Sequence, residues 1–205
     1  MQFTIDQSVL ALLATRGNGI VPNKPTSPIL GCVVLTARVA LLTQPGGLTV
    51  TAADPQVSYV GQHTADVTVP GTIAIAADDL LRTAKALPSG PVSVSVNERE
   101  KVTFKSGRNV FTLNGLAPPE YPGAPEAVDA KTMIVDANDL RCAIDYAMTC
   151  AGPDEDRQGF GGVKIEQIDN TMARFLGMDG LRLMWLDIPY TGEVGGSISS
   201  KVPGR

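Results

Sequence analysis

At 205 residues with a formal net charge of −4, the chain is long enough to bury a core and too acidic to coat nucleic acid indiscriminately. Aromatic residues make up only 5%, which points to sheets and small helices packed through Val, Leu, Ile and Ala. No apolar run is long enough to span a membrane, the N-terminus lacks the basic-then-apolar order of a signal peptide, and Cys32, Cys142 and Cys150 show no paired C-x-x-C spacing, the pattern of reduced thiols in a cytoplasmic protein.

A strand over Met1–Ile5 leads into a short helix whose apolar positions are Val9, Leu10, Leu12 and Leu13. Next comes Lys24-Pro25-Thr26-Ser27-Pro28-Ile29-Leu30-Gly31, where two prolines fix φ and bias the preceding residues toward extended geometry. Lys24 is therefore held on a stiff turn that runs into a strand. The stretch Thr36–Gly47 is longer than a compact hairpin connection requires.

The helix start recurs. Ile5-Asp6-Gln7-Ser8-Val9-Leu10, Ile75-Ala76-Ala77-Asp78-Asp79-Leu80 and Val135-Asp136-Ala137-Asn138-Asp139-Leu140 share an apolar strand end, a polar link and a leucine five positions on. Asp6, Ser8, Asp78, Asp136 and Asn138 suit a helix N-terminus, where side-chain oxygens accept free backbone N–H groups. Spacings of about 60 to 70 residues point to internal duplication. The second helix carries Leu80, Leu81, Ala84 and Leu87 on one face, and the third carries Leu140, Ala143, Ile144 and Ala147.

Strands follow each helix. Val92, Val94 and Val96 alternate with serines, Val102 and Phe104 continue after a polar turn, and Val110–Leu113 follows Ser106-Gly107. In the third unit Val163–Glu166, Ala173–Met178 and Leu183–Ile188 are separated by turns near Asp169-Asn170 and at Asp179-Gly180. The fold class is α+β, with strand, helix and meander as the repeating unit. One helix covers one sheet face, so neighbouring units must pack helix beside helix. Pro118, Pro119, Pro122, Gly123 and Pro125 make 117–131 a stiff linker. The expected organisation is a complete domain over 1–122, a linker over 123–131 and a half domain over 132–205. Residues 192–205 read as a crossover before a further helix, and the sequence as truncated.

Catalysis finds little support. His63, the one histidine, has no Cys/His or Ser/His arrangement around it. Asp154-Glu155-Asp156 reads as a solvated turn and Gly159–Gly162 as a bend, and there is no P-loop. A non-enzyme without cofactor or metal is expected. On spacing alone, the basic residues Arg16, Arg82, Lys85 and Arg141 are ordinary solvated helix faces. Asp179-Gly180 is a hairpin turn whose leucines are core, and Arg108–Leu113 fits an edge strand or an interior one equally.

Four segments in order, Lys24–Gly31, Gly107–Leu113, Glu120-Tyr121-Pro122 and Asp179-Gly180-Leu181-Arg182-Leu183, make the chain resemble the bacterial replicative sliding clamp, the DNA polymerase III β subunit. The resemblance implies a DNA-clamp fold with helices on the inner face of a ring and antiparallel sheets outside. It implies a processivity factor that encircles duplex DNA and tethers the polymerase. Lys24 would touch DNA, with Arg16, Arg82, Lys85 and Arg141 completing a basic lining that reads no sequence. Phe160, Met178, Gly180, Leu181, Arg182 and Leu183 would form one wall of a pocket for short partner peptides, although the family often has histidine where Leu181 stands. The implied partners are the polymerase III α subunit, the clamp loader δ subunit, other clamp-binding polymerases and repair proteins. A second clamp subunit would meet Arg108, Phe111 and Leu113. The rival reading is a short clamp-like adaptor that binds replication peptides without encircling DNA.

Overall fold

The structure is a computed structural model that describes residues 1–22, 25, 27–40, 46–54, 57–118, 121, 132–152 and 162–192, with the backbone of 199–202. It divides into two compact units, Met1–Glu126 and Ala127–Arg205.

The first unit runs β1 (Gln2–Asp6), α1 (Gln7–Asn18), a single 3-10 turn at Pro28–Gly31, β2 (Cys32–Arg38), β3 (Gly47–Ala53), β4 (Ser58–His63), β5 (Asp66–Val69), β6 (Gly71–Ala76), α2 (Ala77–Ala86), β7 (Pro91–Val96), β8 (Lys101–Ser106) and β9 (Asn109–Leu116). Asp6 caps α1 by accepting the Ser8 N–H at 2.8 Å, as its position at the strand end predicts. Ala76 offers no side-chain cap, and Asp78 and Asp79 instead place negative charge in the first turn of α2.

The two repeats are interlocked. The β1 strand pairs with β7 (Gln2↔Ser95 to Asp6↔Pro91), while β6 pairs with β2 (Cys32↔Ala76 to Ala37↔Gly71). Each strand preceding a helix thus joins the meander of the other repeat. The resulting order is β4-β3-β2-β6-β9-β8-β7-β1-β5, all antiparallel. The helices lie side by side, with the Gln7 side-chain amide donating to the Ala84 carbonyl at 2.7 Å. One core beneath them holds Phe3, Leu10, Leu35, Leu48, Ile75, Leu80 and Phe104. Burying each such side chain contributes roughly 1.5–3 kcal/mol, far more than an exposed ion pair, so packing rather than surface charge holds the repeats together.

The second unit contains α3 (Ala137–Met148), β10 (Val163–Gln167), β11 (Met172–Met178), β12 (Leu183–Pro189) and β13 (Ser199–Val202), with sheet order β12-β11-β10-β13. Asp136 caps α3 through the Asn138 and Asp139 N–H groups at 2.8 and 3.2 Å. The core is Ala143, Ala147, Val163, Ala173, Phe175, Ile188 and Tyr190. At Gly177 a Cβ would collide with the Ala147 carbonyl oxygen, so only glycine lets α3 sit this close to β11.

Two features depart from the sequence reading. Residues 199–202 form a strand against β10 (Val163↔Val202 to Glu166↔Ser199), not merely a crossover. A Ser-Ser-Lys-Val run has weak strand character of its own, and pairing with β10 supplies what propensity lacks. Strands β4 and β5 also emerge from a stretch with broken alternation, paired to β3 and β1.

Candidate functional site

Arg16, Arg82 and Lys85 are exposed on the solvent side of α1 and α2, opposite the buried positions Leu10, Leu13, Leu80 and Ala84. Arg16 and Lys85 lie in last turns, where a cation also complements the helix dipole. Arg82 donates to Asp79 at 2.6 Å, and Arg141, exposed on α3, stands 3.6 Å from Asp145. Exposed pairs of this kind contribute little net stability, so both guanidinium groups stay available to an incoming anion. The acidic partners nevertheless reduce the positive potential of each face. Lys24 lies outside the described residues.

The hairpin joining β11 to β12 is built around Asp179. Its Oδ1 accepts the Leu181 and Arg182 N–H groups at 2.9 and 2.8 Å, and its Oδ2 accepts Nε and Nη2 of Arg182 at 3.0 and 2.9 Å. Gly180 takes φ +87°, a left-handed conformation that glycine adopts without steric cost. The two backbone N–H groups, reinforced by the guanidinium, hold the Asp179 carboxyl down to about 2. The turn thereby presents Leu181, 93% exposed, at its tip and Leu183, 49% exposed, at the start of β12. Met178 sits opposite Leu183 in the ladder. The leucines of the turn are therefore not core, which removes that bland reading. Phe160 lies outside the described residues, as do Asp154-Glu155-Asp156 and Gly159-Phe160-Gly161.

The sequence reading overlooked the sheet face leading away from this turn. Arg174 on β11 donates from Nε and Nη2 to the two carboxylate oxygens of Asp187 on β12, at 2.7 and 2.8 Å. Its guanidinium carbon lies 5.6 Å from the ring centroid of Trp185. Trp185 is 51% exposed. The period-2 order Leu183, Trp185, Asp187 carries the signal, but its partners on β11 become evident only once the register is known.

The β9 strand pairs with β8 from Lys101↔Asn114 to Ser106↔Asn109, but meets β6 only at Gly115 and Leu116. Its other edge thus has no pairing partner over most of its length among the described residues. Phe111 and Leu113 are half-buried against the core, and Arg108 and Val110 face solvent. His63 ends β4 exposed, with Nδ1 3.2 Å from the Thr64 carbonyl oxygen. Among the described residues, no three or more His, Cys, Asp and Glu side chains converge as metal ligands.

The family model for the DNA polymerase III beta subunit, N-terminal domain, matches residues 1–125. The beta sliding clamp of Pseudomonas putida strain KT2440 is 29% identical over 185 residues, covering 89% of this chain and 48% of that protein. That of Streptomyces coelicolor is 28% identical over 166 residues, covering 81% and 42% respectively. The crystal structure of a DnaN sliding clamp from Pseudomonas aeruginosa bound to griselimycin superposes with a TM-score of 0.86 at 27% identity, over 99% of this chain and 53% of that one. The chain spans about half the length of the curated relatives it matches. With the family model running through both interlocked repeats of the first unit, the chain belongs to the DNA polymerase III beta subunit family.

Proposed function

We propose that this chain supplies part of a replication processivity ring: a complete clamp domain over 1–122, a linker over 123–131 and the first half of a second domain over 132–205. The ring encircles duplex DNA without reading its sequence and tethers the replicative polymerase, so that a topological link replaces tight binding. Arg16, Lys24, Arg82, Lys85 and Arg141 attract phosphates weakly enough to permit sliding. The free edge of β9, at Arg108, Phe111 and Leu113, joins a neighbouring clamp subunit by strand pairing. The protein acts as a cytoplasmic accessory subunit without catalytic groups of its own.

Met178, Gly180, Leu181, Arg182 and Leu183, with Phe160, form a wall of the site that receives peptides of the polymerase III α subunit, the clamp loader δ subunit and other clamp-binding polymerases and repair proteins. The observation that carries this is the Asp179-pinned turn, which holds two leucines out in solvent with an arginine at their rim. Because a related clamp of Pseudomonas aeruginosa binds griselimycin, that compound serves as a probe of this site.

Two measurements test the reading. Clamp loader should place a ring that contains this chain on circular plasmid in a form that survives moderate salt and is released when the plasmid is linearised; equal retention on linear DNA overturns the ring. Arg182→Ala or Leu183→Ala should weaken griselimycin binding in a calorimetric titration while leaving the thermal midpoint nearly unchanged. Unchanged affinity removes the pocket assignment.

A further inference from the structure

We propose that Leu176 and Trp185 form a second subsite on the outer face of the β11–β12 hairpin, which takes an apolar side chain from the same extended peptide that occupies the Asp179–Leu183 turn. The inference rests on the reading of that turn as a peptide site. In the ladder, Met178 faces Leu183 and Leu176 faces Trp185. Residues two apart on a strand share a face, so these four side chains form one continuous apolar block. That block lies on the side opposite Phe175, Leu186 and Ile188, which pack toward the α3 core.

The next pair along, Arg174 and Asp187, closes the block with its two parallel hydrogen bonds. Arg174 is thereby held with its guanidinium carbon 5.6 Å from the indole centroid, a contact that favours one orientation of the ring before any ligand arrives. A pre-oriented aromatic surface binds at small entropic cost. Because the Arg174 charge is matched by Asp187, this end of the surface favours an apolar group. At the other end Arg182, with its side chain 66% exposed, favours a carboxylate or carbonyl. Leu183 and Trp185 are separated by roughly 6.6 Å along the strand, the distance between alternate side chains of an extended peptide. The occupant is therefore an extended segment with apolar side chains at alternate positions and an acidic or carbonyl group toward the turn.

Trp185 is the single tryptophan of the chain, so its emission reports directly on this surface. The probe is the tail peptide of the cognate polymerase III α subunit, titrated into the full 205-residue chain with fluorescence and calorimetry in parallel. A blue shift that saturates with the calorimetric heat is expected. Trp185→Ala should weaken binding about tenfold, as loss of an aromatic anchor does, and Trp185→Phe should recover most of it. If the peptide binds while emission stays unchanged and Trp185→Ala binds equally, the subsite is wrong and the turn reading stands. If the wild-type chain does not bind the peptide, both fall. An emission shift that follows protein concentration instead of peptide marks a contact between copies and overturns the proposal. Since the indole is half exposed, a circular-dichroism melt of Trp185→Ala close to wild type will separate lost binding from lost fold.

Discussion

The hydroxyl of Tyr121 accepts the backbone N–H of Ala53 at 2.7 Å and also donates to the Cys32 carbonyl at 3.3 Å. Continuing the β2–β3 register from Val34↔Thr51 would set Cys32 opposite Ala53. The phenol thus stands between two backbone groups at the end of that ladder and satisfies both. Tyr121, like Ile29, packs on Cys32, Val34 and Ala74, a small cluster apart from the main core, and burial pushes the Tyr121 hydroxyl above its ordinary pKa. Tyr121→Phe keeps the packing and orphans the two backbone groups. A loss of roughly 1–2 kcal/mol is expected, lowering the thermal midpoint by a few degrees. A midpoint equal to wild type would show that water replaces the hydroxyl without cost.

The Asp179 turn is sensitive to backbone substitution. Gly180→Ala forces a Cβ into the left-handed region and should destabilise the hairpin by about 1 kcal/mol. Gly180→Asn should cost less, because asparagine tolerates that conformation. Thermal melts of the two variants check the order, and alanine melting no lower than asparagine would contradict the assigned φ.

Protonation of Asp179 has a defined window. Its carboxyl lies at about 2, below the roughly 3.9 of an unfolded chain. The depressed value means that the carboxylate's contribution to the turn is complete above the unfolded value and is lost as pH falls through the folded one. A carbon-13 titration of the carboxyl should therefore have its midpoint near 2. In Arg182→Ala it should rise only part of the way, since the two backbone N–H groups are the larger causes. A wild-type midpoint near 3.9 would contradict the hydrogen-bond geometry.

On α2, Asp79 holds Arg82 at 2.6 Å and, if this helix faces DNA as proposed, competes with phosphate for it. Asp79→Asn removes the competing charge and should raise affinity for a duplex of arbitrary sequence by a few-fold at low salt, an advantage that shrinks as salt is added. Arg82→Ala combined with Lys85→Ala should lower it. Fluorescence anisotropy at two salt concentrations reads both effects. Indifference of binding to all three substitutions would move the DNA-facing surface away from this helix.

Among the described residues, the edge of β9 is open to strand pairing beyond its two-residue contact with β6. Thr112→Pro removes a backbone donor from that strand. If the free edge joins subunits, sedimentation will show weaker self-association, while Val110→Thr, a solvent-facing change, will leave it intact. Equal loss in both variants would point to general unfolding.

Much of this molecule is legible along the chain because its signals are local. The three helix starts share one spacing, and two of them are capped by the aspartates that the spacing singles out. The alternation of Val92, Val94 and Val96 places those residues on one face before any partner is known. Asp179-Gly180 announces a turn because a short carboxylate and a glycine meet its backbone demands nearby. What remained hidden is non-local. The exchange of β1 and β6 between repeats joins residues distant in the chain, as in Gln2↔Ser95 and Cys32↔Ala76, and no periodicity encodes which strand another will choose. Strand β13 gains its form from β10. The convergence of Arg174, Trp185 and Asp187 exists only because the register of β11 on β12 sets them side by side. Sequence patterning decided which residues fold into helix or strand and which faces are apolar, since both follow from local geometry and solvation. Partner, register and the exposure of the Leu183–Trp185 surface were decided by the competition among packed arrangements, in which contacts between distant residues outweigh local preference.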